Sequence, residues 1–172
     1  MAGRSDHLPG RPPWLAFLPD FLFEPDRRPE RYIARAWLLI LVPSLVLSAA
    51  VNLLLRPERQ PEFHVHGVAP LLIFLVVGPL LETLVQAVML AGLTRLMSAA
   101  AAAATCAILW SLLHSTAVPT WGLVVWWPFL ILSITYLTWR QEGLVKAIGM
   151  TFALHAVHDG FALLVIVLLG YS

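Results

Sequence analysis

The sequence predicts an all-α protein, a polytopic bundle of about five transmembrane helices. Three observations predict it. Five apolar stretches each approach the ~20 residues needed to cross a hydrocarbon core. Only 12% of the 172 residues are charged, against about 25% in a soluble domain. Finally, 59% of the residues are hydrophobic, so much of the surface must face something other than water.

In chain order, residues 1–31 form a polar, Pro-rich leader, and residues 32–172 form the transmembrane domain. The leader lacks the uninterrupted apolar core of a secretory signal. It carries two aromatic clusters, Trp14 to Leu18 and Phe21 to Phe23, followed by Arg27, Arg28, Arg31 and Arg35. Rings beside basic residues suit the membrane interface, and a disordered leader is the competing expectation. The five apolar stretches run from Ala36 to Leu55, Val68 to Leu93, Ala99 to Val118, Trp121 to Trp139 and Leu144 to Leu169. Only a few residues around Pro119 separate the third from the fourth, which predicts a tight helical hairpin, with a re-entrant third segment as the competing topology. The run Ala99 to Ala104 favours helix and close packing. Trp121, Trp126, Trp127 and Trp139 near the ends of the fourth stretch read as interfacial anchors. Lys and Arg near the stretch ends favour a cytoplasmic N-terminus and an external C-terminus. On that arrangement Arg27, Arg28, Arg31, Arg35, Arg95, Arg140 and Lys146 lie inside, and only Arg56 and Arg59 outside. His64 and His66 fall in a polar loop, where solvated side chains are expected.

A net charge of +1 gives no electrostatic case for nucleic acid. The single cysteine, Cys106, lies in an apolar run and reads as a small buried residue. Function has to come from residues that lipid should exclude. A charge at the centre of a span costs about 2.5–3.5 kcal/mol even on the lenient insertion scale. Ionisable groups nevertheless lie inside the apolar stretches: Glu82, His114, His155 and Asp159, with His158 beside His155 read as structural. Pro79 should kink the second helix just before Glu82, because it cannot donate to the carbonyl of Leu75. Glu82 and Gln86 are four apart and share a helix face, as do Trp110 and His114, and His155 and Asp159. Simple counting places His114 roughly 15 Å from Glu82 in depth, a gap that helix tilt or a shifted span has to close. A carboxyl group and an imidazole held out of bulk solvent can activate water. A second imidazole with a hydrogen-bond donor can stabilise an oxyanion. No Gly-x-Ser-x-Gly elbow or His-Glu-x-x-His helix is present.

These residues resemble the CAAX prenyl protease and bacteriocin-processing (CPBP or Abi) family of intramembrane proteases. That family carries three motifs on separate membrane helices: Glu-Glu, three residues and Arg; Phe, three residues and His; His, three residues and Asn or Asp. Glu82 matches the first glutamate. Trp110 to His114 matches the second motif with Trp in place of Phe, and His155 to Asp159 matches the third with its acidic option. The resemblance runs from about Val68 to Leu169. Thr83 replaces the second glutamate, Ala87 stands at the arginine position, and Gln86 falls one residue short of it.

The resemblance implies a metal-free, glutamate-type endopeptidase in a bacterial inner membrane. Its partners would be membrane lipid and a peptide or protein substrate, with a lipid-modified CAAX-type peptide as the founding case. Glu82 and His114 would form the water-activating pair, and His155 and Asp159 the oxyanion site. Thr83, Gln86 and Trp110 would be supporting residues. An ionised Asp159 cannot donate a hydrogen bond, so it must stay protonated, orient His155 or bind something positive. Zinc held by the same four residues is the alternative. Two further readings compete: a haem held by His114 and His155, and a non-catalytic immunity or assembly scaffold of the same fold.

Overall fold

A computed structural model describes residues 12–57 and 68–168. Arg59, His64 and His66, and the expectations attached to them, lie outside the described residues. Helix α1 spans Pro29–Leu55, α2 Val68–Leu93, α3 Ala99–Ala117, α4 Gly122–Arg140 and α5 Leu144–Leu168. All five are long and apolar enough to cross a membrane, and the protein is a membrane-embedded helical bundle. The third segment is one continuous helix of 19 residues.

Local sequence explains most boundaries. Helix α1 starts ahead of its apolar stretch because Pro29 suits the first helical position and Glu30 favours the N-terminal end of the helix dipole. The side chain of Ser98 caps α3 by accepting from the Ala101 N–H at 3.3 Å. Ahead of Pro79, where a kink is expected, the helix has a π-helical turn over Ile73–Val77, in which the Gly78 N–H reaches the Ile73 carbonyl. A wider turn draws the chain away from the clash that a proline ring makes with the carbonyl four residues earlier.

Helix α4 is the centre of the bundle and touches the other four helices. Its most apolar stretch is 72% buried, against 11% to 28% for the others. The two most apolar helices, α1 and α2, are the least buried. That inversion belongs in lipid, where the exterior is as apolar as the core. Trp127 and Trp139 on α4 are buried among neighbouring elements rather than exposed on the surface of the bundle, since rings on a central helix meet neighbours on every side. The Trp127 indole donates to the Leu39 carbonyl at 2.9 Å, and Trp139 packs edge-on against Tyr32 at 5.3 Å.

The described residues ahead of α1, 12–28, fold back on the bundle. Two short 3-10 turns, Pro13–Leu15 and Asp20–Phe23, bury Leu15, Leu18, Leu22 and Phe23. The Leu22 carbonyl accepts from the Tyr32 hydroxyl at 3.0 Å and from Thr138 Oγ1 at 2.9 Å. Phe17 stacks on Trp127, and the Arg35 guanidinium lies 4.3 Å over the Phe21 ring. Arg35 therefore packs against the leader's aromatics within the fold.

Candidate active site

Two helices bring three of the four ionisable groups together. His155 Nε2, from α5, lies 3.5 Å from Glu82 Oε2 of α2 and 3.6 Å from Asp159 Oδ2 one turn further along α5. Both separations exceed the about 2.7–3.2 Å of a formed hydrogen bond, so the nitrogen is poised between two carboxyl groups. One ring nitrogen carries at most one proton and serves one carboxylate at a time. Exposure divides the roles: the His155 side chain is only 6% exposed, whereas Glu82 retains 33% and Asp159 24%. The imidazole is enclosed, and the carboxyl groups remain reachable.

His114 enters by another route. Its ring lies 5.3 Å from that of Phe129, which in turn meets the His155 ring edge-on at 5.7 Å. Phe129 thus links the rings of His114 and His155. His114 and Glu82 nevertheless form no ion pair, so the imidazole beside Glu82 is His155. His114 Nδ1 lies 2.9 Å from the Trp110 carbonyl. A carbonyl can only accept, so Nδ1 carries the proton there, and in the neutral ring Nε2 is left as an acceptor. Trp110 is buried and stacks on Phe129 at 4.7 Å with the planes 8° apart. Trp121 closes over His114 edge-on at 4.8 Å.

The supporting residues are buried but do not reach Glu82. Gln86 Nε2 donates to Ser133 Oγ at 2.8 Å and to the Phe129 carbonyl at 3.3 Å, tying α2 to the central helix. Thr83 is fully buried, and its Oγ1 has no hydrogen-bond partner among the described residues. Among the described residues, Glu82 thus has no side-chain donor near it other than His155. Sequence reasoning missed Phe129 and Ser133. Ser133 left a signal, being a polar residue inside an apolar run; Phe129 left none, because nothing in a single sequence says which ring will face two histidines.

Among the described residues, no three His, Cys, Asp or Glu side chains are arranged to hold a metal ion. A zinc site would need its ligands to converge on one point about 2.0–2.2 Å away, and the zinc alternative draws no support from this geometry. Cys106 is buried and free, apart from the cluster. No family model, curated protein or solved structure matches the chain.

Proposed function

We propose that the protein is an intramembrane endopeptidase of the CPBP type, hydrolysing a peptide bond in a membrane-associated substrate without a metal. One observation carries this reading: a single enclosed imidazole nitrogen, His155 Nε2, sits between two reachable carboxyl groups, Glu82 and Asp159, inside an apolar bundle. Two buried-side carboxyls and an imidazole cost insertion energy that packing does not need, and together they form a proton-transfer set.

In this mechanism Glu82 takes a proton from a water molecule, which His114 Nε2 orients as acceptor. The water oxygen attacks the scissile carbonyl carbon, and a C–O bond forms. Asp159 orients the ring before the attack by accepting from His155 Nε2–H, and that N–H turns to the developing oxyanion as it forms. Collapse breaks the C–N bond, and the proton held by Glu82 goes to the leaving amine. A lipid-modified, CAAX-type peptide is one candidate substrate. The proposed setting is a bacterial inner membrane with the N-terminus inside and the C-terminus outside.

The test is cleavage in reconstituted proteoliposomes, using a panel of fluorogenic membrane peptides that includes a prenylated one. Glu82→Gln and His114→Ala are each expected to lose about 10²–10⁴-fold in kcat while keeping the wild-type circular dichroism. Retained cleavage in either variant would sink the mechanism.

A second reading, a non-catalytic scaffold, is favoured by one observation. Gln86 is committed to Ser133 and Phe129 rather than to Glu82, as if the bundle were built for cohesion. Normal biological activity of Glu82→Gln would decide for it.

A further inference from the structure

A cavity of about 560 Å³ opens at the end of the bundle where α4 turns into α5. Asp26, Arg27 and Pro29 of the leader form one wall, and Trp139, Glu142 and Lys146 the other. Lys146 lies roughly 13 Å along α5 from His155, so this is not the cluster described above. Residues 141–143 join two helices that are each long and apolar enough to cross a membrane. The cavity therefore sits at the depth of lipid headgroups.

The wall's hydrogen-bonding capacity is unevenly used. Asp26 Oδ1 already accepts from the Arg28 backbone N–H at 3.0 Å, and Glu142 is ion-paired with Lys146. The donors are less occupied. Arg27 has no hydrogen-bond or ion-pair partner among the described residues, and it offers five N–H groups. Lys146 has donors left beyond the one given to Glu142. Unspent donors of this kind suit an anion rich in acceptor oxygens. Asp26 and Glu142 retain free lone pairs, and their charge opposes a second negative group while suiting an ammonium. Val145 and Met150 add apolar wall beside which a glycerol backbone can lie.

We propose that this cavity seats the headgroup of a zwitterionic, amine-bearing phospholipid. Its phosphodiester faces Arg27 and Lys146, and its ammonium faces Asp26 and Glu142. The proposal stands apart from the protease reading, and neither outcome below depends on cleavage.

The test is native mass spectrometry of the delipidated, detergent-purified protein, titrated in turn with short-chain phosphatidylethanolamine, phosphatidylglycerol and inorganic phosphate. Phosphatidylethanolamine is expected to bind tightest. The Arg27→Gln/Lys146→Gln variant is expected to lose roughly tenfold in that affinity, and Arg140→Gln, a basic residue at the same turn but outside the cavity wall, none. Should the double variant misfold, Arg27→Gln alone at its exposed position carries the test, with a several-fold loss expected. Unchanged phosphatidylethanolamine binding in these variants overturns the proposal. Phosphatidylglycerol binding as tightly overturns the ammonium contact, and inorganic phosphate binding as tightly overturns the lipid.

Discussion

His155 presents one nitrogen to two carboxyl groups, and which of the two holds it in place can be separated by substitution. If Asp159 orients the ring by accepting from Nε2–H, an amide oxygen can take over that contact. Asp159→Asn is then expected to keep activity within about tenfold of wild type, whereas Asp159→Ala should fall with His155→Ala by about 10²-fold or more. Kinetics on reconstituted protein check this, with the loss expected in kcat rather than KM. An asparagine variant as inactive as the alanine variant would show that Asp159 contributes its charge or proton, not its orientation. At this scale the sequence was informative along each helix and uninformative between helices. The four-residue spacing of His155 and Asp159 placed them together, and the structure keeps them at 3.6 Å. That Glu82 meets His155 while Gln86 turns to Ser133 depends on the rotation of α2 against α4, which no local spacing encodes.

The α3–α4 hairpin places His114 against Trp121 and Phe129, and it depends on one residue without a side chain. At Gly122 a methyl group would fall on Ser115 Oγ and on the carbonyl oxygen of Ser111. A serine can rotate away, but a helix carbonyl cannot, and Ser111 Oγ also donates to the Gly122 carbonyl at 2.9 Å. Overpacking of a tight contact costs about 1–3 kcal/mol. Gly122→Ala is therefore expected to lower the thermal midpoint in detergent, and truncating Ser115 to Gly in the same chain should not restore it. Full rescue by Ser115→Gly would shift the blame from backbone to side chain. The hairpin itself was legible, because two apolar stretches meet at Pro119 with almost nothing between them. Its closeness was not, since a glycine at a helix start is usually read as chain punctuation. Nor was the central place of α4 legible: lipid-facing α1 and α2 are more apolar than the helix they surround, so hydropathy ranks the helices in the wrong order for burial.

Across the whole molecule, the leader and the far end of α4 are joined at the Leu22 carbonyl. It accepts two hydrogen bonds, one from Tyr32 at the start of α1 and one from Thr138 near the end of α4. The Tyr32 hydroxyl also lies 3.3 Å from Thr135 Oγ1, so three segments far apart in sequence share one buried polar junction. Aromatic clusters beside arginines carry the same composition whether they lie on a membrane or fold back on a bundle, so the sequence could not choose between those fates for residues 12–28. The junction predicts how the leader comes off. A carbonyl oxygen has two lone pairs, and losing one donor leaves the other in place. Removing both leaves a buried acceptor unsatisfied, which costs about 1–3 kcal/mol. Tyr32→Phe and Thr138→Val are each expected to be mild alone, while the double variant should be more destabilising than the sum of the two. Amide hydrogen exchange checks it: protection over residues 13–24 should fall little in either single variant and sharply in the double, with α4 remaining protected in all three. Strictly additive losses would mean that the two bonds act independently and that apolar burial of Leu15, Leu18 and Leu22 alone holds the leader in place.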